Sequence, residues 1–112
     1  MLPRGQRLTH AAGFTTAVRR GRRAGGKLLV VHLGADAAGT GPQVGFIVSK
    51  AVGTAVTRNR VKRRLRHLVR ERVDALPASG MLVVRANPAS GSATYRELAG
   101  ELDRCLLRVL ED

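Results

Sequence analysis

The chain has 112 residues, and its 20 basic and 8 acidic side chains give a net charge of +12 at pH 7. This length allows one domain with its own hydrophobic core and excludes a second domain of ordinary size. A positive charge of this size favours a polyanionic partner, with nucleic acid first and an anionic membrane surface second.

The cysteine content and the lengths of the apolar segments indicate the cellular compartment in which the protein is expected. Cys105 is the only cysteine, so an intramolecular disulfide and a cysteine-based zinc site are excluded. The basic start, Met1–Arg7, is not followed by an apolar segment of the kind found in secretory signals. No stretch approaches the roughly 20 apolar residues of a membrane span. We therefore expect a soluble, cytoplasmic protein that does not bind membranes.

The first half of the chain predicts one helix and two strands. Thr9 can cap a helix over residues 10–19, in which apolar residues recur at helical spacing. The glycine-rich stretch Gly21–Gly26 has no phosphate-binding register, so we expect its glycines to form turns. Residues 28–33 are rich in β-branched and aliphatic side chains, and residues 43–49 alternate between apolar and polar or small ones. We expect these two strands to pair as a hairpin.

A long helix is predicted from about Ala55 to Leu76, because this stretch contains neither proline nor glycine. Its apolar residues follow one face: Val61, Leu65, Leu68, Val73 and Leu76. Polar and basic residues recur with the same period on a second face: Asn59, Lys62, Arg63, Arg66 and Arg70. Arg72 falls on the apolar side and does not fit this pattern.

The last third of the chain predicts a strand and a helix. The apolar run at 81–84 is typical of a buried strand and is followed by a loop at 87–91. Thr94 and Glu97 have capping-box spacing ahead of an amphipathic helix whose apolar stripe includes Cys105. The resulting order α-β-β-α-β-α indicates helices packed on a small sheet.

The basic helix carries the strongest functional signal. Residues 58–72 contain eight basic side chains and one acidic side chain, Glu71. Like charges four residues apart, such as Lys62 and Arg66, destabilise an isolated helix by about 0.2 to 0.5 kcal/mol per pair. A bound phosphate backbone would relieve this repulsion, and we expect such binding to depend strongly on salt. By contrast, the three histidines fall in separate elements without evident acidic partners, so no catalytic site is predicted.

The chain resembles the bacterial ribonuclease P protein subunit, and the signature of that family is matched by three segments. They are Val48-Ser49-Lys50, Gly53-Thr54-Ala55-Val56 and Arg58-Asn59-Arg60-Val61-Lys62-Arg63-Arg64-Leu65-Arg66. The resemblance extends over nearly the whole chain, from Arg7-Leu8 to the last helix. It implies an α+β fold over residues 1–112, a single RNA-binding domain built as a two-layer α-β sandwich with a small mixed sheet (ribosomal protein S5 domain 2-like). The long helix would make a left-handed β-α-β crossover, against the usual right-handed rule.

The resemblance also implies a function. The protein would assemble with the ribonuclease P catalytic RNA, bind the 5′ leader of precursor tRNA, and assist the endonucleolytic removal that leaves the mature tRNA 5′ end. The RNA would carry the chemistry with Mg²⁺ that it holds mainly itself. The protein would then be a non-catalytic subunit with no catalytic residue, no metal ligand and no requirement for a protein partner.

Two groups of site residues follow from the family pattern and from the basic face. The RNA-contact candidates are Lys50, Arg58, Asn59, Arg60, Lys62, Arg63, Arg66 and Arg70. The candidates for a leader-binding cleft, between the first helix and a face of the sheet, are Phe14, Val18, Arg19 and Val31. Phe14 matches an aromatic residue of the family, whereas Val18 and Val31 stand where aromatic residues can occur.

Two other functions remain open on the residues alone. The same helix could serve a general RNA-binding or ribosome-associated protein that has no nuclease activity. A DNA-binding regulator is less favoured, because no helix-turn-helix pair accompanies the basic helix. For either RNA-binding function, alanine at Arg60 or Arg66 is expected to weaken RNA binding without greatly changing fold stability.

Overall fold

The computed structural model describes residues 21–35, 42–77 and 80–111. The helix predicted over 10–19, with its leader-cleft candidates Phe14, Val18 and Arg19, lies outside these residues. Within the described part of the chain, no helix is long and apolar enough to cross a membrane.

Four strands form one mixed sheet: β1 (Arg22–Gly25), β2 (Leu29–Ala35), β3 (Gln43–Ile47) and β4 (Gly80–Ala86). Their order in the sheet is β1-β2-β4-β3, with β1 and β4 antiparallel to β2, and β3 parallel to β4. The predicted hairpin between the strands at 28–33 and 43–49 is wrong, because β4 lies between them. The hairpin that does form joins β1 to β2, and β1 arises from the glycine-rich stretch that predicted only turns.

The two faces of the sheet differ in what covers them. One face presents Ala24, Val31 and Val84, which lie in register across β1, β2 and β4 and belong to the main hydrophobic core. The opposite face carries a small buried cluster of Met81 and Val83. β4 is an inner strand, and all of its residues except Arg85 are buried, with side chains in the clusters of both faces. Burial on both faces explains the continuous apolar run in its sequence.

Helix α1 (Ala55–Arg70) contributes Val61, Leu65, Leu68 and Val69 to the main core. It ends at Arg70, and a short 3-10 helix, Val73–Ala75, replaces the last turns of the predicted helix. The early end of α1 explains why Arg72 does not fit the apolar side of the helical pattern, because Arg72 lies beyond the helix. Its Nη1 donates to the carbonyl of Leu68 at 2.8 Å, and its Nε pairs with Asp103 of the last helix at 2.5 Å. This hydrogen bond from Arg72 is the main cause that lowers the pKa of Asp103.

Helix α2 (Tyr95–Leu110) begins with the predicted capping box. The Thr94 hydroxyl accepts from the Glu97 amide, and the Glu97 carboxylate accepts from the Thr94 amide. Cys105 is buried on the apolar stripe as predicted, and burial is the main cause that raises its thiol pKa. Together with α1, this helix covers one face of the sheet and confirms the α+β sandwich. The handedness of the β3-α1-β4 connection stays a prediction of the resemblance.

Candidate nucleic-acid interface

A tight turn sets the start of the basic helix. Gly53 has a φ of +150°, a conformation that side chains disfavour, and a Cβ there would lie 3.0 Å from the Cγ2 of Thr57. The Thr54 hydroxyl then caps α1 by accepting from the Thr57 amide at 3.2 Å. The preceding 3-10 helix, Lys50–Val52, leaves Lys50 exposed just before α1.

The exposed side of α1 is polar and basic from Asn59 to Arg70, whereas its first turn exposes the apolar Val56. Four of the candidates point to solvent opposite the core: Asn59, Arg63, Arg66 and Arg70. We call these four residues the outer row. Two further candidates, Arg58 and Lys62, are half-buried at the flank of the helix. Sequence periodicity therefore placed the exposed face of this helix correctly, because its apolar stripe fixes which side meets the sheet.

Arg60 differs from the outer row because its guanidinium is engaged within the fold. Its Nη2 donates to the carbonyl of Gly91 at 2.8 Å, and its Nε is buried without a partner in the described part of the chain. One turn further on, Arg64 donates from Nη1 to the carbonyl of Ala93 at 3.1 Å. Both arginines thus hold the segment between β4 and α2 against α1. Sequence reasoning missed this role, since nothing local connects residues 60 and 64 with residues 91 and 93.

The segment that these arginines hold is the 3-10 helix Pro88–Ser92, which also packs against the residues before α1. A Cβ on Gly91 would lie 2.4 Å from the carbonyl oxygen of Val52. Only glycine permits this close approach without a shift of the backbone. The start of the basic helix is therefore fixed from both sides, which holds Lys50 in place relative to the outer row.

The outer row has no acidic partner among the described residues. The ion pairs found in ranges 21–35, 42–77 and 80–111 are His67–Glu71, Arg72–Asp103 and Arg104–Glu101. None of them involves a candidate RNA contact. The exposed positive charges of α1 are thus left to water and to an external anion, which suits a phosphate backbone.

The leader-cleft prediction for Val31 needs correction. Val31 is 0% exposed and belongs to the main core under the helices, so its side chain is inaccessible to a bound strand. Its chain neighbour His32 points to the opposite face, in register with Arg23 of β1. His32 is 6% exposed, and its Nδ1 has no partner in the described part of the chain. Burial, with smaller contributions from Arg23 and Arg85, lowers its pKa.

No group of three or more histidine, cysteine, aspartate or glutamate side chains that could hold a metal ion occurs within the described ranges. The unpaired basic side chains of the described residues support binding of an anionic chain along α1.

Comparisons with known proteins show which sequences and folds this chain resembles. A sequence model of the family described as Ribonuclease P matches residues 2–110. The "Ribonuclease P protein component" of a Nocardioides strain is 58% identical over 111 residues, which cover 97% of this chain and 95% of that protein. The protein of the same name from Streptomyces avermitilis is 53% identical over 120 residues, which cover 98% and 96%.

Solved structures show the same fold. The Staphylococcus aureus RNase P protein superposes with a TM-score of 0.82 at 22% identity, covering 95% of this chain and 98% of that one. The RNase P protein from Thermotoga maritima gives a TM-score of 0.77 at 21% identity, covering 95% and 98%. At this identity the structural likeness supports the fold, while the more similar sequences establish the relationship.

Proposed function

The chain belongs to the ribonuclease P protein family, and from this premise we propose that helix α1 binds the phosphate backbone of the ribonuclease P RNA. The protein acts in processing of the tRNA 5′ leader as part of an endoribonuclease complex that contains an RNA. A general RNA-binding protein without nuclease association is not favoured, because the family model and the similar relatives carry the same description.

The observation that carries the proposal is the outer row of α1, where exposed basic side chains lack acidic partners in the described residues. Arginine binds phosphate through two parallel hydrogen bonds, so a row of arginines at helical spacing suits a regular backbone. In this proposal the row and Lys50 position the protein on its RNA. Arg58 and Lys62 flank the row, and Arg60 supports it from within the fold.

The catalytic chemistry belongs, in this proposal, to the RNA and to Mg²⁺ that the RNA mainly holds. The protein supplies positive charge, which lowers the repulsion between two polyanions, the RNA and precursor tRNA. Binding of the precursor leader by the protein, assembly without another protein partner, and action in the cytoplasm are parts of the same proposal. The protein would therefore matter most at low Mg²⁺, where fewer cations are available to screen that repulsion.

Reconstitution tests this proposal. The wild-type protein should increase cleavage of precursor tRNA by the cognate RNA at low Mg²⁺ and have less effect at high Mg²⁺. The double variant Arg63→Gln/Arg66→Gln should stimulate cleavage half-maximally only at a higher concentration than the wild-type protein does. Its salt dependence of RNA binding, the slope of log Kd against log salt, should fall by about 2, or roughly one per lost phosphate contact.

A matched control separates the position of a charge from net charge. The single variants Arg63→Gln and Arg66→Gln each lower the net charge by one. Ala75→Glu, at an exposed position in the 3-10 helix after α1, makes the same change in net charge outside the outer row. It should leave binding and stimulation almost unchanged. Cleavage that the wild-type protein does not stimulate at any Mg²⁺ concentration would refute the functional proposal.

A further inference from the structure

A second group of basic side chains lies at the opposite edge of the helix layer, around the turn that joins β1 to β2. Its members are exposed and come from the strand, the turn and the last helix: Arg23, Lys27, Arg96, Arg104 and Arg108. We call this group the β1-edge patch. Among its members only Arg104 makes an ion pair within the described residues, a long one of 3.8 Å to Glu101.

Two open grooves meet at this turn. One has a volume of about 300 Å³ and lies between the turn and α2, lined by Lys27, Arg96 and Arg104 together with Glu97, Gly100 and Glu101. The other, of about 540 Å³, is lined by Arg23, Arg108 and Asn87 with the glycines of the turn. The two grooves share no lining residue, but Gly26 lines one and the next residue, Lys27, lines the other, so basic side chains lie on both sides of the turn.

The acidic residues nearest to the patch are engaged with the backbone. Glu101 is 6% exposed, and its Oε2 accepts from the amides of Leu28 at 2.6 Å and Leu29 at 2.5 Å. The exposed Glu97 carboxylate accepts from the Thr94 amide at 2.8 Å in the capping box. Burial shields the charge of Glu101 from a ligand, whereas Glu97 remains an exposed negative charge in the groove. The five basic side chains of the patch outnumber it, so the accessible surface is positive overall.

The turn itself is held rigidly. Asn87 donates from Nδ2 to the carbonyl of Gly26 at 3.0 Å. Its amide donates to the carbonyl of Leu28 at 2.8 Å. Because the turn is fixed by these bonds, Lys27 extends from a preformed support, and less entropy is lost when a ligand binds it.

Gly100 gives an independent indication of a closely approaching partner. It lies in the middle of α2, where glycine is unfavourable relative to alanine. Packing does not require it, because a Cβ there would meet only Arg104 Nη1, at an ordinary contact distance of 3.5 Å. Gly100 lies one helical turn from both Arg96 and Arg104 and lines the same groove, so no side chain fills the space between these two arginines. Glycine at such a place permits close approach of another chain.

The β1-edge patch is separate from the outer row of α1. The flank of α2 that faces α1 is marked by the Arg72–Asp103 ion pair and by the His67–Tyr95 ring contact, with centroids 6.0 Å apart. Glu101 and Arg108 lie on the other flank, against the turn and β1. One strand of RNA along α1 would therefore not reach the patch without crossing α2.

We propose that the β1-edge patch is a second RNA-binding surface, which holds the phosphate backbone of another segment of the same ribonuclease P RNA. The inference rests on the proposed function for the identity of the RNA. A folded RNA fits this surface better than a single strand does, since the patch contains no aromatic side chain on which bases could stack. The protein would then join two segments of its RNA, one along α1 and one at the opposite edge.

Binding measurements with the full chain and the in vitro transcribed cognate RNA test this proposal. Arg96→Gln/Arg104→Gln removes two charges but keeps long, helix-compatible side chains. Each counterion-releasing phosphate contact contributes about fivefold in affinity at 0.15 M salt, so we expect about 25-fold weaker binding and a salt slope lower by about 2. Backbone footprinting should show loss of one protected RNA segment, while the segment protected by α1 remains.

A second variant guards against loss of folding. Gly100→Glu places a negative charge on the floor of the groove, and glutamate is a better helix former than glycine. The melting temperature should therefore not fall, although RNA binding should weaken as in the double variant. Ala75→Glu is again the control for net charge and should bind as the wild type does.

The outcomes separate this inference from the functional proposal. If Arg63→Gln/Arg66→Gln weakens binding but the patch variants keep the wild-type affinity and salt slope, the patch is only a solvated surface and this inference is wrong. If neither set changes binding, the proposed role of α1 fails as well. If the patch variants act only when precursor tRNA is present, the patch contacts that RNA, and the assignment to ribonuclease P RNA is overturned.

Discussion

Arg60 and Arg66 provide the sharpest comparison, because the sequence predicts that alanine has the same effect at both. The structure separates them. Arg60 is half-buried and donates to the carbonyl of Gly91 at 2.8 Å, whereas Arg66 is exposed and has no ion-pair partner among the described residues. We therefore expect Arg60→Ala to lower fold stability and Arg66→Ala to leave it unchanged or raise it.

The expected magnitudes follow from the contacts. A hydrogen bond from a charged group contributes about 1.5 to 3 kcal/mol, and loss of the unpartnered Nε of Arg60 offsets part of this. We expect Arg60→Ala to reduce the free energy of unfolding by about 1 to 2 kcal/mol, or about 4 to 8 °C in melting temperature for a domain of this size. Arg66→Ala removes like-charge pairs with Lys62 and Arg70, each unfavourable by about 0.2 to 0.5 kcal/mol, so its stability should not fall.

Urea unfolding and RNA binding, measured on the same preparations, test this comparison. Arg66→Ala should lower the slope of log Kd against log salt by about 1 and leave the urea midpoint unchanged or higher. Arg60→Ala should shift the midpoint and change the salt slope less, because its guanidinium already donates to Gly91. Equal unfolding midpoints for the two variants would refute the structural role of Arg60. If Arg60→Ala also lowers the slope of log Kd against log salt by about 1, Arg60 contacts a phosphate as well.

Three further predictions concern the framework around the two basic surfaces. Gly91→Ala places a Cβ 2.4 Å from the carbonyl oxygen of Val52, so we expect a loss of about 1 to 3 kcal/mol in thermal or urea unfolding, and a wild-type melting temperature would contradict the packing described. Glu101→Leu leaves two amides of the β1–β2 turn without their acceptor, so it should lower the free energy of unfolding by more than about 2 kcal/mol, and Glu101→Gln should lower it less. Hydrogen exchange of these two amides should become faster in the same order. The pKa of His32 is lowered in the fold, so the unfolded chain takes up a proton at a higher pH than the folded chain does. The free energy of unfolding should therefore decline as the pH falls below about 6.5, and the decline should be smaller in His32→Gln. Parallel pH profiles for the two proteins would show that His32 is not responsible.

Local patterns in the sequence were reliable for the helices. Apolar spacing located α1 and its exposed face, and the Thr94–Glu97 pair located the start of α2. These features depend on residues within one or two turns of each other, so the sequence contains all the information they require. The end of α1 was predicted six residues too late, because apolar spacing continues through the 3-10 helix that follows.

The pairing of strands could not be read in this way. β2 and β3 follow each other in the chain, but β4 lies between them, since the sheet buries its most apolar strand at an inner position. The strand β1 was missed because its sequence, Arg22–Gly25, contains only one buried residue, Ala24, and is stabilised by pairing with β2. Val31 was predicted as a cleft residue from the family pattern alone, and the structure buries its side chain in the main core.

The sequence by itself therefore determined the nature of the partner, the basic helix that would meet it, and the family. Charge, helical period and the Arg58–Arg66 signature are properties of neighbouring residues, and they persist in any fold that keeps α1 amphipathic. Only the tertiary structure decided which arginines are engaged within the fold and which remain exposed. Arg60 is held by Gly91, which is distant in sequence, while Lys27 and Arg104 come together at the β1 edge because Glu101 binds the turn. Contacts between distant segments decide which of these charges are engaged within the fold and which remain exposed to solvent.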